Sequence, residues 1–183
     1  NITPAIRVAK VWKRDQGGGG KSISITGDMI EKAAVNYSSI SGKKLPDSSI
    51  ATKIKSTSIK FHAIGVSAIA HPMNPFCPTS HMNVRIFLEL GKNSNIENWW
   101  IGGGFDLTPF FPTKEESSTW HLNAKTCIDN FDEKYYKKFA KNCDDYFYLP
   151  HRKEKRGIGG IFFDQLQHKN ISESLVLLEE IAK

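Results

Sequence analysis

Six histidines carry the first sign of chemistry, because imidazole changes charge near neutral pH and can act as acid, base or metal ligand. His71 and His81 bracket a stiff connection containing Pro72, Pro75 and Pro78; His121 falls in a stretch of helical period, and His151 follows Pro150. His62 and His168 have no evident association. No HExxH pair or other compact zinc spacing occurs, and the neighbouring carboxylates are scattered, so by themselves these histidines read as satisfied or surface groups. Arg85 lies between Val84 and Ile86, where strand alternation gives it one face and them the other. An arginine so placed can clamp a substrate carboxylate through paired hydrogen bonds, or equally pair with a structural Asp or Glu. The run Gly20-Lys21-Ser22 invites a phosphate-loop reading, but that motif needs a glycine where Asp15 stands, and an acidic side chain repels phosphate. The nucleotide reading is rejected.

The elements that must position these residues follow from period and punctuation. Val8 to Arg14 and Ser22 to Thr26 read as short strands joined by a loop through Asp15, Gln16 and the four glycines Gly17 to Gly20. Lys60 to Ala70 is apolar and β-branched enough for a buried strand, Met82 to Leu90 reads as a second, and Asn98 to Leu107 as a third interrupted by Gly102-Gly103-Gly104. Their short links predict an antiparallel meander. Beyond Pro112 the period changes: Trp120, Ala124, Cys127, Ile128 and Phe131 share a helical stripe, with Ser117 or Ser118 as its cap. Asp132 is placed to cap a second helix carrying Tyr135, Phe139, Cys143 and Phe147, ended by Pro150. Gly157 to Phe163 reads as a further strand, and Ser172 to Ala182 as an amphipathic helix with Leu175, Leu178 and Ile181 inward. Strands followed by helices predict an α+β fold, with helices from about Ser117 onward covering one face.

Composition narrows the classes. A chain of 183 residues with 39% hydrophobic and 24% charged side chains is an ordinary globular domain with room for a core. No stretch approaches the roughly 20 apolar residues that span a bilayer. The start, Asn1-Ile2-Thr3-Pro4, has neither a signal-peptide nor a transit-peptide pattern. Three cysteines, Cys77, Cys127 and Cys143, form no CxxC pattern and read as reduced thiols of an intracellular protein. The net charge of +6 is compatible with an anionic small molecule, whereas Lys134, Lys137, Lys138 and Lys141 read as a solvated helix face, and no nucleic-acid motif accompanies them.

Three blocks, taken together, point further. The first runs from Phe61-His62-Ala63-Ile64-Gly65-Val66-Ser67 through His71-Pro72, Asn74-Pro75, Pro78-Thr79, His81 and Asn83-Val84-Arg85. The second is Trp99-Trp100-Ile101-Gly102-Gly103-Gly104-Phe105-Asp106-Leu107-Thr108-Pro109. The third runs from Cys143-Asp144-Asp145-Tyr146-Phe147-Tyr148-Leu149-Pro150-His151-Arg152 to Arg156-Gly157-Ile158-Gly159-Gly160-Ile161-Phe162-Phe163-Asp164. In order and approximate spacing they resemble the signature segments of oxygen-dependent coproporphyrinogen III oxidases, and the resemblance covers nearly the whole chain.

That resemblance implies a single domain over residues 1–183, an antiparallel sheet flanked by helices on both faces, and a homodimer. It implies conversion of coproporphyrinogen III to protoporphyrinogen IX by oxidative decarboxylation of two propionates, with dioxygen as co-substrate and no required cofactor, in the cytoplasm, or in a mitochondrion or plastid if a targeting segment has been removed. His81 matches the family's proposed proton donor; Ser67, Asn83, Val84 and Arg85 match substrate-binding positions. His71, His81, His121 and His151 match four histidines described as divalent-metal ligands. The family pattern continues past Lys183 with further strands, a helix and a Gly-Gly-Arg segment, so the domain is expected to be partial. The competing readings are a catalytically inactive homologue that holds a tetrapyrrole or a partner, and a histidine-based metalloenzyme of another kind.

Overall fold

The computed structural model describes residues 4–43 and 60–183. Six strands come first: β1 (Ile6–Lys13), β2 (Gly18–Thr26), β3 (Ile30–Gly42), β4 (Lys60–Pro72), β5 (Thr79–Leu90) and β6 (Ile96–Thr108). Helices α1 (Lys114–Asp129) and α2 (Glu133–Tyr146) follow, then the two-residue strands β7 (Tyr148–Leu149) and β8 (Glu154–Lys155), strand β9 (Gly159–Leu166) and helix α3 (Ile171–Ala182). The main sheet has seven strands in the order β1-β2-β3-β4-β5-β6-β9, and every neighbouring pair is antiparallel. The α+β class and the β4-β5-β6 meander expected from sequence are therefore present.

Boundaries differ from expectation for local reasons. Glycines Gly18 to Gly20 belong to β2 and not to the loop. Gly18 has φ 87°, and a Cβ there would stand 2.2 Å from the Ser39 carbonyl oxygen, so glycine lets β2 and β3 close together. Gly102 to Gly104 do not interrupt β6, because β5 pairs with it along one side and β9 along the other. Helix α1 starts earlier than expected: Thr113 Oγ1, and neither Ser117 nor Ser118, accepts the first-turn amide, from Glu116 at 3.1 Å. Asp132 caps α2 as expected, accepting from the amide of Lys134. On α3 the inward stripe is Ser174, Leu177, Leu178 and Ile181, while Leu175, one residue off that stripe, is exposed.

The main core lies between the sheet and the helices. Ile86 of β5, Ile101 of β6 and Ile161 and Phe163 of β9 meet Ala124 and Ile128 of α1, Phe139 of α2, and Leu177, Leu178 and Ile181 of α3. Phe139 and Phe163 stack at 4.7 Å, each about 1% exposed, and each such ring contributes roughly 1.5–3 kcal/mol by burial. All three helices among the described residues pack through this cluster on one face of the sheet. The arrangement meets the expectation drawn from period, and the layer expected on the opposite face has no helix among the described residues.

Candidate active site

Strand alternation turns a second set of side chains to the face away from the helices. Because the strands pair in register, these residues line up in rows across the sheet. One row is Ser22, Asn36, Ser67 and Asn83, each directly opposite the next on β2, β3, β4 and β5. A parallel row is Gly20, Ser38, Gly65, Arg85 and Gly102, and a third brings Ile69 of β4 against His81 of β5 and Asp106 of β6. Ile40, Ala63, Phe87 and Trp100 form an apolar row at the other side, where Phe87 and Trp100 stack at 5.3 Å. A groove of about 210 Å³ runs over this surface, lined by Asn36, Ser38, Ser67, Asn83, Arg85 and Phe87 among others. A larger groove of about 510 Å³ lies on the helix side against Ala33, Met82, Phe105 and Trp120, and its walls are mostly apolar. The smaller groove collects the hydrogen-bonding side chains Asn36, Ser38, Ser67 and Asn83 around Arg85, whereas His81 borders the larger one.

Ser67, Asn83 and Arg85 thus come together as the sequence suggested. Arg85 does not wait for a partner: one guanidinium nitrogen lies 3.0 Å from Asp164 Oδ2, and another donates to Asn83 Oδ1 at 3.3 Å. The pair crosses β6 at Gly102, where a Cβ would stand 2.6 Å from Asp164 Oδ1 and 2.9 Å from Arg85 Nε. Only glycine leaves room for it. Arg85 remains 28% exposed and Asp164 43%, so the ion pair sits at the groove surface, where such pairs are weakly held and exchangeable. Val84 is different. Its side chain packs against the helix-side core, so of the four expected substrate-binding residues it alone presents no side chain to the groove.

His81 lies two residues before Asn83 on the same face of β5, outside the residues that line the polar groove. Its Nδ1 lies 2.8 Å from Asp106 Oδ1, and because the fully buried Asp106 carboxylate accepts, the imidazole donates from Nδ1. Arg156, in the connection between β8 and β9, reaches both oxygens of Asp106: Nε donates at 3.0 Å, and Nη2 lies 2.7 and 2.8 Å from the two oxygens. The Arg156 guanidinium also lies over the Phe147 ring at 3.7 Å, and that ring meets the His81 ring nearly edge-on at 6.0 Å. Phe147 was expected on the inward stripe of α2; as its C-cap it leaves the helix and meets Phe162 and Tyr146 edge-on instead.

The other histidines lead elsewhere. His121 Nε2 donates to the Ile158 carbonyl at 2.8 Å, and its Nδ1 accepts from the Tyr136 hydroxyl at 3.1 Å. Burial pushes the Tyr136 phenol up, which keeps that hydroxyl protonated. Both ring nitrogens are occupied, so His121 has no lone pair for a metal. His71 is exposed with Nδ1 3.3 Å from Thr79 Oγ1, and His151 is exposed in the turn between β7 and β8. No group of metal-ligating side chains large enough to hold an ion occurs among the described residues, so His71, His81, His121 and His151 are not brought together as ligands. His62 lies between Ser39 and Ser41, and His168 accepts from or donates to Tyr135 at 2.9 Å, each tied to its own neighbours. Burial, with the Asp106 and Asp144 charges nearby, pushes the Cys143 thiol up to about 12, which removes it as a nucleophile.

The geometry is that of a shallow polar surface able to hold carboxylates, with one imidazole aimed by a buried acid. The family model for coproporphyrinogen III oxidase matches residues 5–183. The chain belongs to the coproporphyrinogen III oxidase family. Membership implies a coproporphyrinogen substrate and a role in porphyrin biosynthesis. No described helix is long and apolar enough to cross a membrane. Single-residue reasoning missed Asn36, Ser38, Asp106, Arg156 and Asp164 as parts of this face. For Asn36 and Ser38 the available signal was polar alternation in a β-branched strand; for Arg156 there was none, since it comes from a loop.

Proposed function

We propose that the protein catalyses the oxygen-dependent oxidative decarboxylation of two propionate groups of coproporphyrinogen III to vinyl groups, giving protoporphyrinogen IX. The observation that carries the reading is the convergence of Ser67, Asn83 and Arg85 with His81 on one open face of the sheet. Each propionate loses carbon dioxide and a hydride equivalent to become a vinyl group. Dioxygen takes up that hydride together with one proton and leaves as hydrogen peroxide, so atoms and electrons balance. Arg85 exchanges Asp164 for a propionate, which its planar fork can hold by two hydrogen bonds. Ser67 and Asn83 hold the polar edges beside it, and Phe87, backed by the buried Trp100, offers an apolar bed for the macrocycle. With Nδ1 given to Asp106, His81 takes up a proton from solvent at Nε2 and delivers it from there. Deprotonation of a pyrrole nitrogen makes the ring electron-rich enough to react with dioxygen directly, and the protein contributes orientation and exclusion of water.

The test is turnover of chemically reduced coproporphyrinogen III by the complete gene product, in air and under argon. Stoichiometric carbon dioxide and peroxide in air, with no product under argon, is the expected result. Tight binding of the tetrapyrrole without turnover in air would overturn the proposal in favour of an inactive binding homologue.

A further inference from the structure

Asp106 is 1% exposed, and burying a carboxylate that deep is costly unless its oxygens are matched by donors. Arg156 makes three contacts to those two oxygens, which fixes the plane of the carboxylate and not merely its charge. A fixed Oδ1 can then accept from His81 Nδ1 in one direction only, and this sets both the ring's orientation and which nitrogen carries the proton. His81 Nε2 has no partner among the described residues, and the side chain keeps 27% exposure. The guanidinium lies over the Phe147 ring at 3.7 Å, and the same ring meets the imidazole nearly edge-on. A structural ion pair would need Asp106 and Arg156 alone. The imidazole at the end of the chain, on the face that carries Asn83 and Arg85, gives the arrangement a direction.

We propose that Arg156 is a positioning residue for the reaction, acting through Asp106 to hold His81 with Nδ1 protonated and Nε2 left without a partner among the described residues. The role of His81 in turnover rests on the function proposed above; the orientation itself does not. Because Arg156 lies between β8 and β9 and Phe147 ends α2, the aim of His81 depends on segments that contribute nothing to the polar rows.

Arg156→Met, Arg156→Lys and Phe147→Leu test this in the complete protein. The first readout is the Nδ1 proton of His81, observed by magnetic resonance on protein with isotope-labelled histidine and assigned by its loss in His81→Gln. It is expected to vanish in Arg156→Met, to persist in Arg156→Lys and to broaden in Phe147→Leu. The second is kinetic: kcat falls about 100-fold in Arg156→Met, as misplacement of a reacting group by about an ångström does, while KM changes little and Arg156→Lys recovers part of the rate. Melting temperatures are measured alongside, and Phe147→Leu, which leaves the ion pair in place, carries the test if Arg156→Met does not fold. A retained Nδ1 proton with unchanged kcat, and only a lower melting temperature, overturns the proposal. If the wild-type protein does not turn over coproporphyrinogen, the functional reading fails separately and the proton signal still decides the positioning.

Discussion

Along β5, Val84, Ile86 and Leu88 turn toward the helices, whereas His81, Asn83 and Arg85 turn away from them. The first set joins a closed apolar core in which Ile101, Ile128, Ile161 and Leu177 have no exposed surface. The second joins rows of polar side chains and glycines that leave a groove. The strands, the twist and the backbone hydrogen bonds are common to both faces, so the difference comes from side chains alone. One face gains stability from close packing; the other gives up packing to keep donors accessible. Removing an atom from the former opens a cavity, and removing one from the latter frees a binding partner.

The strongest way to break this comparison is to cut the core. Phe163→Ala removes a ring that is 1% exposed and stacked on Phe139, and is expected to destabilise the fold by about 3–5 kcal/mol in denaturant titration. A loss below about 1 kcal/mol would mean that the helix layer does not depend on this contact. On the other face, Arg85→Ala is expected to weaken kcat/KM by about 2–5 kcal/mol, the range for truncating one member of a hydrogen-bonded charge pair that a bound substrate buries. Stability should change little, and Arg85→Lys should recover only part, because an ammonium lacks the planar fork. Asp164→Asn sharpens the point. If Arg85 serves substrate, freeing it from Asp164 leaves KM the same or lower; if it serves only the ion pair, Asp164→Asn reproduces Arg85→Ala.

The smallest effect concerns pH. The Cys143 thiol, 1% exposed, is raised to about 12, so its neutral form is the one the fold favours. Its contribution to stability is complete below the unfolded thiol's value near 9 and is lost as pH rises from there through about 12. At pH 8 the exposed Cys77 should react with a thiol reagent promptly while Cys143 does not. Equal rates for the two would show that the core opens readily around Cys143.

Much of this was legible in the sequence, and what was not has physical causes. Apolar, β-branched runs between Lys60 and Leu107 gave three strands, and alternation gave the opposition of Asn83 and Arg85 to Val84 and Ile86. The Asp132 cap was readable because an acidic side chain before a helical stripe has few other uses. The glycines of β2 and β6 misled, since glycine is read locally as a breaker, yet here it answers the crowding of strands that are distant in sequence. Leu175 misled because one residue of phase error turns a helix by about 100°. Val84 was included with its neighbours as a block, and alternation separates it from them. The partnership of Arg85 with Asp164 was beyond reach, because it depends on β9 lying beside β6, and local pattern does not encode strand order.

The link from Asp106 to Arg156 spans 50 residues, whereas His81 and Asp106 are separated by 25 and the rows from β3 to β5 join strands adjacent along the chain. Closing a longer loop loses more chain entropy before any contact repays it, so neighbouring strands are expected to zip together first. The groove floor would then be assembled while His81 still rotates, and the imidazole would be locked only as β9 docks against β6. In pulse-labelled refolding, amides of β4 and β5 should gain protection from hydrogen exchange ahead of those at the β6–β9 seam. Simultaneous protection would point instead to a single nucleus that includes the helices.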